Sequence, residues 1–294
     1  MKSIYILLVL ISLIGCNNTS NNSQEIAKQV NVVRDYFTPL EQPVEGTWRY
    51  LHTEEKQQSL SNYIRLKPAS ISSERKVIYI VPIGEFSNAQ ENIITETCVY
   101  IESFFGLKTH LALYEKTPNV PDNMRRLRVD EYQYNAHYFL DKYLDIDKYK
   151  DASVMIALTS FDLYPDEKWN YVFGLASLQK RVGVWSMARF GNPSENQKSY
   201  QLCLDRTRKV ATHEIAHMFS IKHCCTFPCV MNGSNSMSET DAQPFVLCPE
   251  CLEKLCWNFK TTPNAISKNL LEYWKSQKDS NYVNLYNEFV KTTQ

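Results

Sequence analysis

Between Thr212 and Met231 the chain reads THEIAHMFSIKHCCTFPCVM, and three of its six histidines fall in this one window. The H-E-x-x-H run His213-Glu214-Ile215-Ala216-His217 sets two imidazoles one helical turn apart, so both can reach the same metal ion. Glu214 lies beside them, placed to take a proton from a water on that metal. His223 follows shortly after and supplies a third ring. Three neutral imidazoles with one position left for water make the donor set of a catalytic zinc, whereas a structural site closes the fourth position with protein. Four cysteines form a second cluster: Cys224 and Cys229 as C-x4-C, then Cys248 and Cys251 as C-P-E-C, the spacing of a four-thiolate structural zinc. Two disulfides are the alternative, which an oxidising compartment would favour. Cys225 and Cys256 are extra thiols, and Cys98 and Cys203 read as buried apolar positions.

The H-E-x-x-H pattern works only on a helix. One is predicted from about Ser199 through Phe219, with Leu202, Val210, Ile215 and Met218 on its apolar side and His213 and His217 on a face of their own. Upstream, KVIYIVPIG (Lys76 to Gly84) reads as a buried strand, and a helix should run from about Gln90 to Phe105 with Gly106 as its stop. THLALYE is a second strand. A helix is expected within PDNMRRLRVDEYQYNAHYFLDKYLD, with Tyr134, Tyr138, Leu140 and Leu144 along one side. SVMIALTSFDLYP begins as a third strand, VGVWSMARFG is an alternating fourth, and a C-terminal helix lies near Ser267 to Trp274 with more helix beyond. The order implies an α/β (α+β) sandwich with an irregular cysteine-rich lobe after the long helix.

His213-Glu214-x-x-His217, His223-Cys224, Cys229-Val230-Met231 and Cys248-x-x-Cys251 together resemble the archaemetzincin signature within the metzincin clan of zinc metallopeptidases. DLYPDEKWNYVFGLASLQKRVGVWSMARF and EYQYNAHYFLDKYL are similar to earlier segments of that family. The resemblance implies a zincin fold: a mixed twisted sheet with an edge strand along the cleft, an active-site helix and a small zinc-binding C-terminal lobe. It implies two zinc ions per chain. His213, His217 and His223 would bind the catalytic one with Glu214 as general base, and Cys224, Cys229, Cys248 and Cys251 the structural one. Met231 would sit in the Met-turn beneath the metal. Gly183, Val184 and Trp185, in VGVWSMARF, would be the edge strand to which a peptide substrate adds by main-chain hydrogen bonds. The family's glycine after the second histidine is Ser220 here, and a non-glycine residue in a left-handed turn costs roughly 1 to 2 kcal/mol.

The N-terminus speaks to location. MKSIYILLVLISLIG has a lysine and then an apolar run too short to span a bilayer comfortably, placed like a secretory signal. LIGC, Leu13 to Cys16, resembles the lipobox of bacterial lipoproteins, which implies cleavage before Cys16 and acylation of that thiol. An ordinary signal peptide with an incidental cysteine is the alternative. The expected organisation is a signal peptide over 1–15, a flexible lipid-anchored tether over 16–30, an N-terminal extension over 31–72, a metallopeptidase domain over 73–275 and a helical tail over 276–294, on a membrane of the bacterial envelope, at its periplasmic or surface face.

Bulk composition permits this and adds little. The 294 residues, 44% apolar, suffice for one sizeable domain or two small ones, and 32 basic residues against 32 acidic give no pull toward nucleic acid. A zinc metallopeptidase is the reading that follows. A lipid-anchored zinc- or peptide-binding protein that keeps the fold without cleaving, and a disulfide-stapled envelope protein without metal, are its rivals. Ser220 favours the first rival and Glu214 opposes it.

Overall fold

The computed structural model describes residues 22–294 apart from residues 114, 117, 130 and 178. The signal peptide and Cys16 lie outside the described residues. Five strands build the central sheet: β1 is Val77–Ile83, β2 Lys108–Leu111, β5 Ala152–Thr159, β7 Gly174–Ala176 and β8 Val182–Ser186. Their order is β2-β1-β5-β8-β7. All neighbours run parallel except β7, which is antiparallel to β8. Arg125–Arg128 (β3), Glu131–Asn135 (β4) and Asp162–Tyr164 (β6) form a smaller sheet in the order β3-β4-β6.

Every residue of β5 is buried because helices and loops cover both faces of the sheet. Alternate side chains go to different cores. Val154, Ile156 and Leu158 join Ile78 and Ile80 under the helices, whereas Met155 and Ala157 join Tyr79 and Phe139 on the opposite face. The helical face carries α4 (Asn88–Phe105) and α6 (Gln197–Met218), each capped at its start by a side chain, Ser87 and Asn196. Gly106 ends α4 in the left-handed region, φ +63°.

Two expectations are corrected here. Tyr134 belongs to strand β4, paired with β3 and β6, so the aromatic run around it is not one helix face. Only the short helix α5 (Ala136–Tyr138) and a π-turn over Phe139–Tyr143 follow. The alternation Arg126, Arg128 against Leu127, Val129 is a period-2 signal that the tyrosine spacing masks. Strand β8 is also not the edge of the sheet: β5 and β7 flank it, and all five of its residues are buried. Val184 packs into one core and Trp185 into the other, which is the pattern of an interior strand.

Both ends of the described residues pack on the domain. A helix, α1, described over residues 22–34, overlaps the end of the segment expected to be tether (16–30) and the start of the expected extension, and buries Ile26, Val30 and Val33 in the main core. Beyond it come α2 (Trp48–Leu51) and α3 (Leu60–Arg65). After the cysteine-rich loop and α7 (Met237–Ala242), helices α8 (Pro249–Phe259), α9 (Pro263–Gln277) and α10 (Ser280–Thr292) complete the chain. Tyr282 of α10 stacks on Trp274 of α9 with centroids 4.5 Å apart, so the expected tail is packed structure.

Candidate metal centre and cleft

Helix α6 runs beneath the sheet and presents His213 and His217 to the cleft. Its end decides where His223 lies. Ser220 takes φ +67°, its N–H donates to His217 O at 2.7 Å, and the N–H of Ile221 donates to Ala216 O at 3.1 Å. These are the paired hydrogen bonds of a Schellman turn, so the serine adopts the geometry expected of glycine. Side chains from the N-terminal extension hold this turn. The Tyr63 hydroxyl donates to Phe219 O at 2.7 Å and Gln58 Nε2 to Ser220 O at 3.1 Å.

The turn brings the third ring back onto the first two. One ring nitrogen each of His213, His217 and His223 lies within 4.8 Å of the others. His213 Nδ1 is 2.9 Å from Val230 O, and His217 Nδ1 is 2.6 Å from Ile221 O. A carbonyl only accepts, so each Nδ1 carries the proton and each Nε2 presents a lone pair. Those two Nε2 atoms face each other at 2.9 Å. Facing lone pairs are what a shared cation satisfies, so the donor set fits a metal ion. Burial, reinforced by the neighbouring rings, pushes His213 down to about 3 and His217 well below the usual histidine range. Both rings are thereby kept neutral, as ligation requires. His223 Nδ1 points instead at the Glu55 carboxylate, 3.0 and 3.2 Å from its two oxygens. That hydrogen bond holds Glu55 below the usual carboxylate range.

Glu214 lies on the same helix and lines the same cavity of about 820 Å³. Burial alone pushes its carboxyl up to about 8, and a dication beside it would act in the opposite sense. Strand β7 and the preceding Phe173 form the facing wall, with Gly174, Leu175 and Ala176 also lining the cavity. Its one partner in the sheet is β8, so the edge strand along the cleft is Gly174–Ala176, not Gly183–Trp185. Gly174 packs directly on Glu214: a Cβ there would lie 2.7 Å from Oε1.

The second cluster is also assembled. Cys224, Cys229, Cys248 and Cys251 are fully buried, and their sulfurs lie within 4.8 Å of one another. Cys224 Sγ and Cys248 Sγ are 3.5 Å apart, far beyond a disulfide bond, and all eight described cysteines are free. Hydrogen bonds from the other thiols, that of Cys229 foremost, pull Cys224 far down. The hydrogen bond to Cys224 pushes Cys248 up and burial pushes Cys229 up, so the thiols do not share one tendency; four converging sulfurs free of disulfides are the donor set of a closed tetrahedral zinc site. Met231 is buried, its carbonyl accepting from Cys224 N at 2.7 Å, and its neighbour Val230 holds His213. Cys203 and Cys256 are buried among apolar residues. Cys225 is half-buried, with its N–H on Gln57 Oε1.

Three parts of the site were not singled out in the sequence: Gly174, Glu55 with Trp48, and the Gln58–Tyr63 clamp. Gly174 carries a weak signal, since the chain has only eight glycines. The others sit in or beside WRYLHTEEKQQ, whose composition carries no motif.

A helix bearing H-E-x-x-H under the open edge of a mixed sheet, with its third imidazole returned by a tight turn, defines the metallopeptidase class of α/β folds. Sequence comparison gives the family. The model of Peptidase family M54 matches residues 85–256. Archaemetzincin-2 of Mus musculus is 31% identical over 278 residues, covering 82% of this chain and 73% of its own. Archaemetzincin of Thermococcus kodakarensis is 30% identical over 190 residues, 63% of this chain and 98% of its own. The crystal structure of archaemetzincin from Methanopyrus kandleri aligns with a TM-score of 0.52 at 26% identity, over 64% of this chain and 97% of that one. The chain belongs to peptidase family M54, the archaemetzincins, and is a zinc metallopeptidase that acts on peptide substrates.

Proposed function

We propose that His213, His217 and His223 hold the catalytic zinc and that Glu214 is the general base for peptide-bond hydrolysis. The observation that carries this is the convergence of three imidazole nitrogens, two of them fixed through Nδ1 by main-chain carbonyls, at the floor of a cleft that Glu214 also lines. A peptide would lie along β7 and pair with its open edge. The ion supplies Lewis acidity to the scissile carbonyl and to the attacking water. Glu214 takes the proton as water oxygen bonds to the carbonyl carbon, then delivers it to the amide nitrogen as the C–N bond breaks. Cys224, Cys229, Cys248 and Cys251 would hold a second, structural zinc, and Met231 would serve as the methionine of the Met-turn.

Glu214→Gln tests the assignment. The variant should keep the metal content of the wild type and lose turnover, measured by peptide-library digestion with zinc analysis of the same sample. A Glu214→Gln protein that still cleaves would contradict the role.

We further propose that Cys16 is acylated and anchors the enzyme to a bacterial envelope membrane, with residues 1–15 removed. The LIGC sequence supports this. Labelled palmitate should enter the wild type and not Cys16→Ser, and the wild type should sediment with membranes. Equal labelling of the two, or a soluble wild type, would contradict the anchor.

A further inference from the structure

We infer that the segment around Trp48 to Tyr63, which precedes the residues matched by the family model, is part of the metal centre, and that its Glu55 is the positioning residue for His223. The inference rests on His223 being a zinc ligand. It adds what aims that ligand.

His223 lies on a stretch without regular structure just past the end of α6, so nothing in its own element fixes the ring. His213 and His217 are aimed by main-chain carbonyls of the loops that follow α6. The ring of His223 is aimed by a carboxylate from far upstream in the chain, at 3.0 and 3.2 Å from Nδ1. A carboxylate on that N–H fixes the tautomer, turns Nε2 toward the other two rings and raises its basicity.

The same segment grips the backbone on both sides of the ligand. Lys222 N–H donates to Gln58 Oε1 at 3.1 Å, and Cys225 N–H donates to Gln57 Oε1 at 2.8 Å. Trp48 completes the enclosure. Its ring meets His223 edge-on at 4.5 Å and stacks on His52 at 4.8 Å. It also covers Gly233, where a Cβ would come within 2.2 Å of the indole. The backbone N–H of Trp48 donates to Glu239 Oε1 at 2.7 Å. Ring, flanking backbone and covering wall of the third ligand therefore all depend on one upstream segment.

The test is zinc competition against a graded series of chelators with the full chain, comparing wild type, Glu55→Gln, Glu55→Ala and His217→Ala. Glu55→Ala should weaken the zinc of the three-histidine site by about 10- to 100-fold and leave the four-cysteine zinc unchanged. Glu55→Gln, which keeps shape and a hydrogen-bond acceptor but not charge, should fall between. A role confined to packing predicts instead that Gln restores wild-type affinity. If Ala fails to fold, the Gln variant decides. Wild-type affinity in Glu55→Gln and Glu55→Ala, at a site that His217→Ala destroys, would overturn the role of Glu55 alone. No effect of His217→Ala on either zinc would overturn the metal centre and this role with it.

Discussion

Gly174, on the open strand of the cleft, and Glu214, on the active-site helix, are packed so closely that no larger residue fits between strand and carboxylate: a Cβ on Gly174 would sit 2.7 Å from Oε1 and 2.8 Å from Cδ and Cγ. Sheet and Glu214 carboxylate are thus fixed relative to each other by a missing methyl group. Gly174→Ala should push the carboxylate aside by roughly 1 Å, which is enough to cost about a hundredfold in turnover. Zinc content should not change. Steady-state kinetics with metal analysis checks this, and a fully active Gly174→Ala enzyme would show that the carboxylate has room to spare.

Ser220 should be a site of stored strain. Relieving a left-handed non-glycine residue returns roughly 1 to 2 kcal/mol, and the larger unfolded-state entropy of glycine takes back about 0.5 to 1. Ser220→Gly is therefore expected to stabilise the fold by about 0.5 to 1 kcal/mol without loss of zinc. Thermal or denaturant unfolding measures it, and a destabilised variant would mean that the serine hydroxyl, which accepts from Ala69 N–H at 3.4 Å, matters more than the strain.

The clamp behind that turn runs through Tyr63. Its buried hydroxyl donates to Phe219 O and accepts from Asn258 Nδ2 at 2.6 Å. Tyr63→Phe leaves both groups buried without it, at a cost of about 1 to 3 kcal/mol. Unfolding curves of the two proteins give the difference directly.

For the cysteine cluster, Cys248→Ser should release one zinc per chain and destabilise the lobe formed by the loop and α8, on the order of several kcal/mol. Zinc stoichiometry and hydrogen exchange over residues 224–259 would register it. An unchanged zinc count would mean that the thiols hold no ion.

The chemistry of this site was legible because its bearers are rare residues at fixed spacings: three histidines and four cysteines named from the sequence alone converge as two clusters. The long helix and the stop at Gly106 were legible for the same reason, a period or a punctuating residue. The edge strand was not. VGVW and FGLA are both short apolar runs, and which of them is flanked on both sides is decided by strand order, a long-range property. Helix α1 was hidden by its polar neighbours, although Ile26, Val30 and Val33 have helical spacing. Glu55 was hidden because an exposed-looking glutamate in TEEKQQ differs from its neighbours only through a partner much further along the chain.

Three imidazoles should grip one zinc while four thiolates grip another, and anomalous diffraction from a zinc-loaded crystal tests this most directly. One peak is expected at about 2.0 to 2.1 Å from Nε2 of His213, His217 and His223 and a second at about 2.3 Å from the four sulfurs. A His223 ring turned away, with the sulfur of Cys224 or Cys225 bound beside His213 and His217 in its place, would contradict it.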